Sequence, residues 1–187
     1  MLNAQAQRIV ESLGLVPLPH EGGYFRETYR SGEMIPGDAL PVRYDARACG
    51  RNHSTQIYFL LAPGGVSRMH LVQSDEVFHF YRGDPVEQLQ IFPDGSAQVV
   101  GIGSDLERGD RPQVVVPRGV WQGCRIRAGG GGDGYALLGC TVSPGFDWAD
   151  FRLGTREQMQ SLCPKAGGRV RELIEALAPI QIPEQTP

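Results

Sequence analysis

Between Ser67 and Gly83 the chain reads SRMHLVQSDEVFHFYRG, which sets Arg68, His70, Asp75, Glu76 and His79 among strand-forming residues. A histidine beside a glutamate can move protons, because the carboxylate raises the imidazole's proton affinity. His70 and Glu76 are therefore the candidate catalytic pair. An arginine holds a carboxylate or phosphate through paired hydrogen bonds, so Arg68 is the candidate anchor for an anionic group. Tyr58, Phe78 and Trp121 are candidates for an aromatic wall against a sugar ring or a base. Ser54, Gln56 and Gln122 complete the candidate ligand-binding set as groups that orient hydroxyls.

These residues act together only if the backbone gathers them. Strand alternation puts Arg68 and His70 on one face, and Glu76, Phe78 and Phe80 on one face of the next strand, with Val77, His79 and Tyr81 behind. Strands are expected over Tyr24–Tyr29, Thr55–Leu61, Ser67–Val72, Glu76–Tyr81, Val86–Phe92 and Ala97–Ile102, then Val114–Val116, Val120–Arg127 and Tyr135–Val142. They are short and separated by Gly, Pro, Asp and Ser, a pattern of sandwiches and barrels rather than of alternating strand and helix. PDGS (Pro93 to Ser96) and APGG (Ala62 to Gly65) read as turns. AGGGGDGY (Ala128 to Tyr135) lacks the Lys-Ser/Thr ending and following helix of a phosphate loop, and reads as a flexible connection.

Helices are expected at the two ends. Asn3 caps a helix over residues 4–13 that carries Ile9, Val10 and Leu13 on one face and stops at Gly14. Thr155 with Gln158 forms a capping box for a short helix before Pro164. Val170, Leu173, Ile174 and Leu177 share one helical face, so the C-terminal helices fall within 155–178.

The same residues also have plainer readings. Phe78 and Trp121 serve equally as core, Arg68 with Glu76 as a buried ion pair, and His79 as a packed strand residue. His20 and Glu21, before Gly22 and Gly23, read as turn residues, and Asp147 and Asp150 near Trp148 as a solvated loop. His53 has no evident partner in sequence.

The composition narrows the classes. With 187 residues, 21% charged, 41% hydrophobic and a net charge of −3, the chain has the make-up of one globular domain with a sizeable core. No basic block points to nucleic acid. The longest apolar run, IYFLLA (Ile57 to Ala62), is far too short to span a bilayer. The first residues lack the pattern of a secretion signal, so a cytoplasmic protein is expected. Cys49, Cys124, Cys140 and Cys163 show no zinc spacing and are expected as free thiols.

Several blocks together resemble the cupin superfamily, and within it the Cupin-5 group of uncharacterised function. Gly65, His70, Glu76 and Gly83 match the first cupin motif, and Pro117 and Gly119 the second. The shared wording is EGGYFRETYRS (Glu21 to Ser31), STQIYFLL (Ser54 to Leu61), SDEVFHFYRGDP (Ser74 to Pro85), VVPRGVWQ (Val115 to Gln122) and GCTVSPGFDWADF (Gly139 to Phe151). The likeness runs from about residue 10 to 160. It implies an all-β double-stranded β-helix, the cupin jelly-roll barrel, over roughly residues 20–152, with flanking helices, a site inside the barrel, and a homodimer.

Metal-binding cupins use two histidines, a glutamate and a third histidine. Here Arg68 takes the first histidine position and Gln122 the third. A guanidinium cannot ligate a cation, and an amide is a poor ligand. The metal alternative then rests on His70 and Glu76 with Gln122 as a poor third ligand, or with His79 in its place if a bulge at Asp75–Glu76 turns it inward. No cofactor is favoured, and a divalent metal is the minor alternative. The kit is closer to the metal-free dehydrorhamnose epimerases, which it resembles in having an Arg and a His near the start of the motif. The sequence thus predicts a small-molecule-binding cupin, an isomerase or epimerase on an anionic or carbohydrate-like metabolite. A non-catalytic binding protein and a metal-dependent oxygenase or lyase are the alternatives.

Overall fold

Residues 2–44, 50–129 and 132–182 are described in a computed structural model of the chain. Cys49 and the centre of the glycine-rich connection, Gly130 and Gly131, lie outside them.

Helix α1 (Ala4–Leu13) starts where the Asn3 side chain accepts from the Ala6 amide and ends at Gly14 with φ 61°. Strands β1 (Val16–Pro17), β2 (Tyr24–Arg30), β3 (Met34–Ile35), β4 (Arg51–Asn52), β5 (Thr55–Leu61), β6 (Val66–Leu71) and β7 (Asp75–Gly83) follow. After them come β8 (Val86–Ile91), β9 (Ala97–Ile102), β10 (Gln113–Val116), β11 (Trp121–Ile126), β12 (Ala136–Ser143) and β13 (Arg152–Leu153). Helices α2 (Arg156–Leu162) and α3 (Gly168–Leu177) close the described chain. The longer strands lie where turn residues and alternation put them. The two-residue strands β1, β3, β4 and β13 were not expected, since so short a run carries no period.

The strands form a six-stranded sheet, β1-β2-β5-β12-β7-β10, facing a five-stranded sheet, β13-β6-β11-β8-β9. Among the described residues every pairing between these named strands is antiparallel. This is the cupin jelly roll. Alternation fills the space between the sheets: Phe59 and Leu61 from β5, Phe78 from β7, Val86 from β8 and Leu138 and Cys140 from β12 all point inward.

The outer faces are covered unequally. Met69, Leu89, Ile91 and Trp121 point out of the five-stranded sheet and meet Met159, Leu173, Ile174 and Leu177 of α2 and α3. Thr155 caps α2 by accepting from the Gln158 amide at 3.2 Å. Helix α1 covers one end of the other sheet through Ala6, Leu60 and Tyr135. Among the described residues no helix is long and apolar enough to cross a membrane.

Candidate functional site

A cavity of about 320 Å³ opens at the barrel end where β2 finishes and β5 begins. Two β-bulges aim its polar side chains. In β6, His70 pairs with Gln122 and Ser67 with Cys124, so Arg68 and Met69 together face the single residue Gly123. Such an insertion reverses the alternation locally. Ser67 and His70 therefore both turn inward while Met69 packs under the C-terminal helices. A Cβ at residue 123 would stand 2.9 Å from the Met69 sulfur and 3.0 Å from the Ser67 carbonyl oxygen, which is why glycine occupies the crowded side of the bulge. In β2 the register shifts between Glu27 and Tyr29, which brings Arg30 to the cavity side with Glu27 and Phe25.

The bulge corrects the expectation for Arg68. It does not share a cavity-lining face with His70; its guanidinium instead donates to the His20 carbonyl at 2.6 Å. Gln56 and Tyr58 also turn away, because on β5 it is Thr55 and Ile57 that point inward. Tyr58 packs near α1 and sits edge-on to Tyr81. Ser54 donates to the Val142 carbonyl rather than into the cavity. Trp121 belongs to the core beneath α2 and α3, and Phe78 to the core between the sheets. His70 and Glu76 do line the cavity, and Gln122 touches Glu76.

His70 is 2% exposed. Its Nδ1 lies 2.7 Å from the Arg68 carbonyl oxygen, which can only accept, so Nδ1 carries a hydrogen and donates. Nε2 is then the open ring atom, 3.9 Å from Glu21 Oε2. The ring stacks on Phe151 at 5.3 Å and 24°. The Gln122 amide donates to Glu76 Oε2 at 2.6 Å. Burial pushes the Glu76 pKa above its ordinary value and the nearby Glu21 adds to this, while His70, Gln122 and Cys140 pull it back. Burial also pushes Cys140 well above an ordinary thiol, so it stays an S–H beside Glu76 rather than a nucleophile.

Glu21, which sequence pattern alone marks as a turn residue, also lines the cavity. Its carboxylate accepts from Ser67 Oγ at 2.7 Å. The turn is built from His20 at φ 62°, Gly22 at φ 105° and Gly23 at φ 75°. A Cβ at residue 22 would collide with the Val66 carbonyl oxygen. Gly22→Ala is expected to cost about 1–3 kcal/mol in a urea melt and to withdraw Glu21 from His70. An unchanged urea midpoint would contradict the strain.

The aromatic wall comes from the segment after β12. Phe146 and Trp148 meet edge to face at 5.1 Å and 82°, and Trp148 and Phe151 at 5.3 Å and 74°. Trp148 remains 47% exposed, leaving an open ring surface at the mouth. Of the two aspartates expected in a solvated loop, Asp147 is exposed, but Asp150 is buried and paired with Arg51. Across the mouth, Arg30 donates to both Glu27 oxygens at 2.9 and 2.7 Å and to the Phe146 carbonyl at 3.2 Å. The Glu27 bonds hold Arg30 above its ordinary pKa.

The residues do not fit a divalent metal. His79 faces out of the six-stranded sheet, with Nε2 3.1 Å from Thr141 Oγ1 and Nδ1 3.3 Å from the Gln113 amide. The Gln122 oxygen accepts from Gln88, and its nitrogen donates to Glu76. Among the described residues no group of three or more His, Cys, Asp and Glu side chains is arranged to hold a cation.

The Cupin_5 family model, described as Cupin superfamily (DUF985), matches residues 7–154. The uncharacterized protein YML079W of Saccharomyces cerevisiae is 31% identical over 134 residues, which are 70% of this chain and 66% of the yeast protein. A hypothetical protein from Leishmania major superposes with a TM-score of 0.80 at 32% identity, covering 93% of this chain and 98% of that one. Protein SO0799 from Shewanella oneidensis superposes with a TM-score of 0.77 at 31% identity, covering 97% of this chain and all of the other.

Proposed function

For a chain that belongs to the Cupin_5 family of the cupin superfamily (DUF985), we propose proton transfer on a carbohydrate-like small molecule, in the manner of an isomerase or epimerase. The observation that carries this reading is the free Nε2 of His70, aimed at a cavity that Glu21 and Glu76 also line. His70 Nε2 takes a hydrogen as a proton from a carbon next to a carbonyl. The C–H electron pair moves into an enediol, whose oxygen takes the proton carried by Glu76. Return of both protons, the carbon-bound one to either face, completes the exchange. Burial keeps Glu76 closer to the protonated form that this step needs.

The lining favours a neutral, hydroxyl-rich ligand over an anionic one. Glu21, Glu27, Glu76 and Asp147 face the cavity, and the Arg30 guanidinium there is already held by Glu27. With Arg68 bonded to His20, the likeness to the dehydrorhamnose epimerases loses the arginine it rested on. The carboxylates are good acceptors for sugar hydroxyls, and Trp148 offers a face for stacking.

The test is incubation with a panel of reducing sugars in deuterium oxide, followed by proton NMR. Loss of a carbon-bound proton signal supports the reading; saturable binding with no exchange overturns it in favour of a non-catalytic binding protein. Trp148→Ala is expected to weaken whichever sugar binds by about tenfold, measured by calorimetry. Equal affinity would remove Trp148 from the contact surface.

A further inference from the structure

Alternation turns Gln88 and Gln90 of β8 inward with Val86, so the barrel interior holds a run of polar side chains. Gln88, Gln90 and Gln122 are each no more than 1% exposed. Buried amides are costly unless their groups are paired. Here they pair with one another in a single direction. The Gln98 amide nitrogen donates to the Gln90 oxygen at 2.9 Å, and Gln90 donates to the Gln88 oxygen at 2.8 Å. Gln88 donates to the Gln122 oxygen at 3.3 Å, and Gln122 donates to Glu76 Oε2 at 2.6 Å. The run starts at exposed Gln98 on the edge strand β9 and ends inside the cavity.

One contact fixes its direction. The Gln90 amide nitrogen also lies 3.4 Å from the Val115 carbonyl oxygen, across the barrel on β10. A backbone carbonyl cannot donate, so Gln90 must keep its nitrogen on that side. Reversing any one amide would bring oxygen against oxygen, and reversing the whole run would break the Val115 contact. Amides in series also polarise one another.

We propose that Gln98, Gln90, Gln88 and Gln122 form a one-way amide chain that positions Glu76, fixing Oε2 as an acceptor and leaving Oε1 as the oxygen that carries and gives up a proton. These glutamines are positioning residues: Gln122 touches Glu76, and the others act through it. The chain also keeps the Gln122 oxygen turned toward Gln88 and away from the cavity. The inference builds on the assignment of Glu76 to the reactive set, but its measurement needs no substrate, so either can fail without the other.

Two NMR measurements on the labelled full chain test it. In the wild type, couplings across hydrogen bonds are expected from Gln122 Nε2 to the Glu76 carboxyl carbon and from Gln88 Nε2 to the Gln122 amide carbon. Their absence, or coupling in the opposite sense, overturns the chain. Gln88→Met keeps much of the shape and removes both hydrogen bonds. It is expected to speed exchange of the Gln122 side-chain amide about tenfold and to move the Glu76 carboxyl resonance. A folded variant with both signals unchanged overturns the positioning role. If Gln88→Met does not fold, Gln98→Ala at the exposed end carries the test, with about a twofold faster Gln90 side-chain exchange expected and no change overturning it.

Discussion

With asparagine in place of His70, exchange of a carbon-bound hydrogen for solvent deuterium is expected to fall by about a hundredfold to ten-thousandfold, while the fold stays intact. Asparagine can still offer an N–H to the Arg68 carbonyl, which holds the present ring at 2.7 Å. It has no atom where Nε2 now stands, so only the proton acceptor is removed. Stacking on Phe151 is lost as well, and the melting temperature falls slightly for that reason. Proton NMR in deuterium oxide, read beside a thermal melt, separates the two effects. Wild-type exchange in a folded His70→Asn variant would dismiss His70 as the base and turn attention to Glu21, 3.9 Å away.

That His70 and Glu76 line one cavity was legible because titratable residues stand out within a strand pattern whatever the details of pairing. Arg68 was misplaced because alternation is only as good as its register. The bulge opposite Gly123 advances the inward face from Ser67 to His70 across two intervening residues, and no residue type in SRMHL announces it. The same kind of insertion hid Arg30, which the β2 bulge brings to the cavity two residues beyond Glu27's neighbour Thr28. On β5 the error was one of phase: Thr55 and Ile57 face inward where Gln56 and Tyr58 were expected. The aromatic wall was missed for another reason. Phe146, Trp148 and Phe151 lie in a segment with little regular structure, and such a segment has no period to show which side it buries. The warning sign was compositional, since three large aromatic rings within six residues are an unusual make-up for a solvated loop.

What anchors that segment gives the largest expected effect on stability. Asp150 ends the short turn Trp148–Asp150, and its two oxygens take hydrogen bonds from Arg51 Nε and Nη2 at 2.7 and 2.8 Å. Arg51 is 2% exposed and Asp150 4%. The third nitrogen of Arg51 donates to the Gly50 carbonyl, and the guanidinium lies over the Tyr44 ring at 5.5 Å. The Asp150 bonds raise the Arg51 pKa, and even without them a guanidinium keeps its proton, so the cation cannot escape by neutralising. Asp150→Ala therefore leaves a charge buried without its partner, at an expected cost of about 3–5 kcal/mol. For a chain of this length that lowers Tm by on the order of 6–20 °C. Converting both members together, Arg51→Met with Asp150→Leu, removes the stranded charge and is expected to recover most of the loss. Asp150→Ala also frees the wall: Trp148, next to the broken pair, becomes easier to quench with acrylamide. A single variant that melts within about 2 °C of wild type, less than the shift from one kcal/mol, would show that the pair contributes little. A double variant as unstable as the single would show that the loss comes from packing and not from the unpaired charge.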